Sequence, residues 1–467
     1  MRVRHFILLV VAGLPLLAPI ARADALDDYI VLQMQRRQIP GLSLCVFDDG
    51  KVVRARGYGV VERGQSTPVT PDTLFEAGSI SKPVTALAAL VLVDEGRLSL
   101  DEDVNAKLVT WKVPTSDFTK QSKVTLRNLL SHSSGMSGAT FDGYRFDEPL
   151  PSLVQILNGE APAKSPPIRV ESIPGAQWNY SSGGYLVVQQ LLMDVSGKPF
   201  PDLMQATVLA PLGMTSSTFR QPLPADRRNS AATGHGEDRT PVLGRWHIYP
   251  EMAAGGLWTT ACDLARFAMG VQRSVAGSST GVLLQPMARQ MVTRQKQDSG
   301  LGVFVDGKEG SSRFFHQGRD EGFDSTLVAY VETGKGVAVM LNANDDSRLV
   351  PRILRRAGEL YHWPDFPQPA HRNEASAPAV EPSLLAKYEG RYQLGADDVI
   401  TFAARNGRLF TQSGGMDDEE FLPETPTRFV SMDRDAEVSF ESSTDGSIVG
   451  LRWKYNGAER GAPRLGQ

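Results

Sequence analysis

The stretch from Ser79 to Glu95 constrains this chain more than any other. Ala86, Leu87, Ala88, Ala89, Leu90, Val91, Leu92 and Val93 make its helical pattern apolar nearly all round, and Gly96 stops it. A helix with no polar face must be buried, so the pattern predicts a central helix that other layers enclose. With 467 residues and 41% apolar composition, the chain has material for a large core and two or three domains. The net charge is −4, with no long run of either sign, which argues against a nucleic-acid surface or a membrane-coating face and for a small-molecule partner.

Strand patterns flank the helix. Leu42 to Phe47 and Val52 to Tyr58 are β-rich runs joined by Asp48, Asp49, Gly50 and Lys51, a hairpin signal. From about 100 to 295 the pattern is helical and loop-rich, with an amphipathic helix from Tyr185 to Val195. Strand-like runs return at Leu301 to Val305, Phe314 to Phe315, Ser325 to Val331 and Val337 to Leu341. The expectation is an α+β domain over 24–363: one antiparallel sheet flanked by helices, with a helical region inserted between its strands. Pro364 to Pro382, rich in Pro and Ala, reads as a linker. After it, 383–467 carries short alternating runs with turns at Asn406 and Gly407 and at Asp445 and Gly446, predicting a small β sandwich or barrel.

Residues 1–23 read as a cleavable signal peptide, with an uncleaved membrane anchor as the alternative. Arg2 and Arg4 precede an apolar run from Phe6 to Ala18, and Ala21, Arg22 and Ala23 form a small-x-small cleavage site, with the cut after Ala23. No later run suits a membrane span, so the mature product is expected in the periplasm or secreted. Export permits a disulfide between Cys45 and Cys262, although two buried free thiols suit their surroundings at least as well. The histidines are scattered and no metal-ligand spacing occurs, so no metal or other cofactor is expected.

Ser79 and Lys82 fall one helical turn apart on one side of the buried helix, close enough for the amine to take the hydroxyl proton. The spacing alone is weak, and a serine capping a core helix would explain Ser79 by itself. Its context is stronger: Gly78 precedes it, and a helix start offers unpaired N–H groups to a developing oxyanion.

Five ordered blocks then carry a resemblance: FEAGSISKPVTALAALVLVDEGRLSL from Phe75, VTLRNLLSHSSGMSG from Val124, PGAQWNYSSGG from Pro174, AGGLWTTACDLARF from Ala254 and GLGVFVDGKEGSSRFFHQGRDEGF from Gly300. Together they resemble the penicillin-recognising serine hydrolases, above all the class C β-lactamases and their D,D-peptidase, D-aminopeptidase and esterase relatives. The resemblance implies the β-lactamase-like fold over residues 28 to 345, with Ser79 as nucleophile, Lys82 as its proton partner and Tyr180 as the proton shuttle. A phenol is a poor base at its usual pKa of ~10, so Tyr180 needs a cation beside it, and Lys82 would supply one. His316, Gln317 and Gly318 occupy the third motif, and the backbone N–H groups of Ser79 and Arg319 would form the oxyanion hole.

Three departures from the family pattern bear on the substrate. Ser182 stands where the second motif usually has Asn, which removes the amide that grips an acylamino side chain. His316 replaces Lys, and Gln317 replaces Thr or Ser, so holding a substrate carboxylate would fall to an imidazole charge or to Arg319. For His316 a structural hydrogen-bonding role stands beside a catalytic one.

Other features invite plain readings. Gly277 to Gly281 matches G-x-S-x-G but reads as a loop; His132 is expected to bond a loop backbone; Trp178, Trp246 and Trp258 are core or cleft residues; and Asp263 is expected to cap a helix. The resulting expectation is an exported acyl hydrolase acting on a β-lactam, a D-amino-acid peptide or an ester. The alternatives are a penicillin sensor acylated without turnover, and a chain whose C-terminal module is its main ligand binder.

Overall fold

The computed structural model describes residues 18–345, 349–366, 377–395, 398–405, 407–413, 416–431, 436–455 and 458–466. Its centre is a six-stranded antiparallel sheet. Strands β1 (Gly41–Asp48) and β2 (Lys51–Gly59) form the expected hairpin, and β1 continues into the strands that arrive over 240 residues later: β3 (Phe304–Asp306), β4 (Arg313–Asp320), β5 (Phe323–Tyr330) and β6 (Gly336–Leu341). The spatial order is β2-β1-β6-β5-β4-β3. The chain therefore leaves the sheet after β2, builds a helical region, and returns on the far edge.

Strands β1, β5 and β6 are buried along nearly their whole length because helices cover both faces of the sheet. Leu42, Leu44 and Val46 point to one face, where they pack with Ile30 and Met34 of helix α1 (Ala18–Arg36) and with Ile353 of α5 (Leu349–Leu360). Cys45 and Phe47 point to the other, toward the core that includes α2 (Ser81–Asp94), α3 (Ser182–Ser196) and α4 (Ala261–Val275). Eleven residues of α2, from Ser81 to Leu92, are buried, as its apolar circumference requires.

Cys45 and Cys262 are joined in a disulfide with Cα atoms 5.1 Å apart, which pins α4 to the sheet. The free-thiol alternative is thereby overturned: the two apolar settings are one site on either side of a helix–sheet contact. Closing a loop of 217 residues restricts the unfolded chain, for a stabilisation of about 5 kcal/mol in the chain-entropy account.

Two local expectations need correction. The run from Leu301 to Val305 yields a strand only at Phe304–Asp306, because Gly302 takes φ +91° and packs so close to α2 that an added Cβ would lie 2.3 Å from that of Ala86. Asp263 does not cap α4. Thr260 does, accepting the Asp263 N–H through Oγ1, while the Asp263 carboxylate accepts from Ser216 and Ser217 and pairs with Arg266. Residues 277–281 form an exposed turn with no strand before it, as expected of a loop.

Beyond the central sheet and its helices, a short helix (Pro382–Tyr388) leads into an eight-stranded antiparallel meander from Gly390 to Pro463, around Phe402, Phe421, Phe440 and Leu451. A bridge between Tyr392 and Arg464 brings the last strand against the first, so the sheet nearly closes into a barrel. The strand Met416–Pro423 is absent from the sequence expectation because its four acidic residues oppose strand propensity. Neighbours answer part of that charge: Glu420 pairs with Arg408 and, at 2.6 Å, with Arg36 at the end of α1. Most of the anticipated linker (367–376), Asn406 and the expected signal segment up to residue 17 lie outside the described residues; α1 runs through the expected cleavage point.

Candidate active site

Ser79 is not in the helix. Gly78, at φ +52°, turns the backbone into a single 3-10 turn over Gly78–Ile80, and α2 starts at Ser81. Only glycine fits at 78, since a Cβ there would lie 2.5 Å from the Arg319 backbone nitrogen. The same close contact is seen from strand β4, where a Cβ on Gly318 would meet the Ala77 carbonyl oxygen at 1.9 Å. Two glycines thus let the Ser79 turn press against the edge of the sheet, with the Arg319 backbone N beside it, the arrangement an oxyanion pocket needs. Nor does a serine side chain cap α2; Ser79 Oγ instead accepts a hydrogen bond from Lys82 Nζ at 2.9 Å.

Lys82 is fully buried. Its Nζ also donates to the Ala254 carbonyl at 2.9 Å and lies 5.0 Å and 5.8 Å from the ring centres of Tyr180 and Tyr185. A buried amine is costly unless its donors are met, and here an acceptor pair and two π faces meet them. Tyr180 is held in place by His132, whose ring lies 4.3 Å from the Tyr180 ring and whose Nδ1 accepts the Ser181 N–H at 3.1 Å. Burial and the Lys82 charge push the His132 pKa well down, so this ring is a neutral positioning group.

Ser79 opens to a cleft of about 500 Å³, lined by Trp178, Tyr180, Asp298, Phe304, Phe315 and His316, with Gln317, Gly318 and Arg319 along the strand edge. Of the three tryptophans, Trp178 faces this cleft, anchored by Nε1–H to Ser299 Oγ at 2.7 Å, while Trp246 and Trp258 are core. His316 Nδ1–H donates to the Gln317 carbonyl at 2.6 Å, leaving a buried Nε2 lone pair without a partner. Burial, then the Lys82 charge, lowers its pKa to about 3.

That corrects the expectation of an imidazole charge for a substrate carboxylate: the ring is neutral at working pH. Arg319 is not poised for that task either. Its guanidinium is turned onto Asp324, through Nε at 2.8 Å and Nη2 at 3.0 Å, with Glu237 at 3.5 Å. Ser182 reaches the site, but its Oγ donates to the Ala139 carbonyl at 2.7 Å, so its hydroxyl proton is already used.

Sequence reasoning missed a group of carboxyls around Ser79. Glu76, Glu251 and Asp320 are 1%, 2% and 7% exposed. Burial, reinforced for Glu76 by Asp320, pushes Glu76 and Asp320 well above the usual carboxylate range. Glu251 is raised by burial to about 7. Their signal was legible: Glu76 interrupts an apolar run three residues before Ser79, and Asp320 ends the HQGRD strand. No group of three or more His, Cys, Asp or Glu among the described residues is arranged to hold a metal ion.

A serine hydroxyl bonded to a buried lysine, with a tyrosine over that lysine and a backbone N beside the serine, defines a serine hydrolase of the acyl-transfer type. The chain belongs to the Beta-lactamase family, whose pattern matches residues 26–360. Its relatives include penicillin-binding protein 4* of Bacillus subtilis (strain 168), 22% identical over 454 residues, covering 92% of this chain and 96% of that one. Penicillin-binding protein 4 of Amycolatopsis lactamdurans is 32% identical over 262 residues, covering 54% of this chain and 65% of the relative. Among solved structures, an octameric penicillin-binding protein homologue from Pyrococcus abyssi superposes with a TM-score of 0.64 at 22% identity, over 94% of this chain and 99% of that one. The shared fold thus extends into the C-terminal β module.

Proposed function

We propose that this chain hydrolyses amides, lactams or esters through an acyl-enzyme on Ser79, and that it prefers acyl compounds without a carboxylate beside the scissile bond. The observation that carries the reading is the 2.9 Å contact between Lys82 Nζ and Ser79 Oγ at the base of an open cleft. Ser79 Oγ attacks the carbonyl carbon as Lys82 hands one proton to the deprotonated Tyr180 oxygen and takes the Oγ proton in its place; Tyr180 then delivers its proton to the leaving alcohol or amine, and the carbonyl oxygen takes the developing charge between the Ser79 and Arg319 N–H groups. Water then adds to the acyl carbon, Oγ recovers a proton, and the free acid leaves. Neutral His316 offers its Nε2 lone pair as a hydrogen-bond acceptor for Tyr180 or the attacking water.

The lack of a carboxylate anchor follows from neutral His316 and from Arg319 held by Asp324. Penicillins are expected to acylate Ser79, a reading supported by the names of the curated relatives, but to turn over more slowly than carboxylate-free amides and esters. The comparison is made by steady-state kinetics on a penicillin, a cephalosporin, a D-Ala-D-Ala peptide and p-nitrophenyl acetate. Highest kcat/KM on the D-Ala-D-Ala peptide would sink the preference, and acylation without turnover on every member would favour a penicillin sensor.

The same reading places the protein outside the cytoplasm, with a signal peptide cut after Ala23 and separate units at 24–363 and 383–467. The Cys45–Cys262 disulfide supports export, because such bonds persist in oxidising compartments. N-terminal sequencing of the protein from periplasmic and cytoplasmic fractions tests the cut: an intact Met1 in mature protein would contradict it.

A further inference from the structure

On the side of Ser79 away from His316 lies a second, smaller cleft of about 40 Å³, lined by Ser79, Ser182, Tyr249, Glu251, Arg319 and Asp320. Ser79 opens to both clefts, so whatever fills this one sits beside the attacked carbonyl. Glu251 Oε2 and Asp320 Oδ2 are buried there with no hydrogen-bond partner. The nearby cations are otherwise engaged. Lys164, which acts electrostatically on Glu251, bonds Glu148 at 2.5 Å and the Gly143 carbonyl at 3.1 Å; Arg319 grips Asp324; and Lys82 bonds Ser79 and Ala254. Asp320 Oδ1 is backed by the chain at Gly255, where an added Cβ would come within 3.3 Å.

Two acceptors without donors, at the base of a cleft too small for a side chain of any length, are a costly arrangement for an empty protein. The cost is recovered by a ligand that brings donors and positive charge together. A hydroxyl brings one donor, whereas a primary ammonium brings three and also offsets the carboxylates. No three-ligand set for a metal ion is present among the described residues.

We infer that this cleft binds the protonated amine of the acyl group, so that the preferred substrates are amides or esters of amino acids with a free α-amine, held by Glu251 and Asp320. The inference rests on the Ser79 acyl-enzyme reading. An α-ammonium is one carbon from the carbonyl, which suits a subsite that shares Ser79 with the reaction cleft. N-acylated compounds present no charge and exceed the small volume.

The test compares alanine p-nitroanilide, as separate D and L enantiomers, with N-acetylalanine p-nitroanilide and with p-nitrophenyl acetate, on wild type, Glu251→Gln and Glu251→Asp. For at least one enantiomer, kcat/KM for the free amine should exceed that for the N-acetyl compound tenfold or more. Glu251→Gln should cut that ratio at least tenfold, and Glu251→Asp should restore part of it. The acetate ester reports a folded, working site in each variant. Turnover of the acetate without preference for a free amine, or a preference untouched by Glu251→Gln, would overturn this inference and leave the hydrolase reading standing. Failure of wild type on every compound would overturn both.

Discussion

The two sides of Ser79 are built on opposite principles. Toward Trp178, Phe304 and His316 the cleft is wide and aromatic, and the buried His316 ring stands neutral because burial and then the Lys82 charge oppose protonation. Toward Glu251 and Asp320 the cleft is narrow and acidic, and burial there raises carboxyls instead of lowering a base. The same desolvation acts on both sides, yet it removes charge from a histidine on one and leaves partly ionised acid on the other. On the proposed reading, the wide apolar side takes the leaving group and the narrow acidic side selects charge.

The Lys82 charge acts on His316 on one side and on Asp320 on the other, so its removal is expected to have the largest effect. Lys82→Met should lower kcat/KM for p-nitrophenyl acetate by roughly 10²–10⁴, the usual range for a lost proton-transfer group. A drop of less than tenfold, in protein that circular dichroism finds folded, would show that the Ser79–Lys82 contact is structural.

The next effect isolates the acidic side and is read without substrate. The folded pKa of Glu251 lies near 7, above its ordinary 4.5, so its contribution to stability is complete below pH 4.5 and is lost as pH rises through 7. Glu251→Gln cannot ionise. Relative to wild type it should therefore gain up to roughly 3 kcal/mol between pH 4.5 and pH 9, measured by urea denaturation at each pH. An equal pH dependence in the two proteins would mean that Glu251 ionises freely and that the acidic side is solvated.

On the aromatic side, Phe304→Ala should raise KM for p-nitrophenyl acetate about tenfold through lost ring contact, with kcat little changed. An unchanged KM would remove the leaving group from that side. The smallest effect is a missing one: with its pKa near 3, His316 should give no limb near pH 6.5 in the kcat/KM profile, and His316→Asn should leave the shape of that profile unaltered. A limb near 6.5 that disappears in the variant would restore a charged imidazole and undo the contrast.

How much of this was legible in the sequence depended on the range of the interactions. Periodicity reveals α2 and the strands of the central sheet because burial on two faces leaves its mark residue by residue; Ser79 and Lys82 stood out by their spacing at the start of that helix, whereas Tyr180 was reached only through the family resemblance. The position of Ser79 on a 3-10 turn was not, since it depends on Gly78 pressing against Arg319 from a strand 240 residues away. The charge state of His316 and the partner of Arg319 were also hidden: the first comes from burial against Lys82, the second from Asp324 across a hairpin. Glu251 belonged to a loop with no motif. Its meaning emerged only when folding placed it beside Asp320 and Ser79 in one cleft.

The central claim is that Ser79 Oγ forms the acyl-enzyme, and intact-mass spectrometry with peptide mapping tests it most directly. Wild type and Ser79→Ala are each mixed with a penicillin and quenched within seconds. The account predicts a wild-type mass increase of one penicillin, mapped to the peptide that contains Ser79, and no increase in Ser79→Ala. A covalent adduct that persists in Ser79→Ala, or that maps to another residue in wild type, would contradict it.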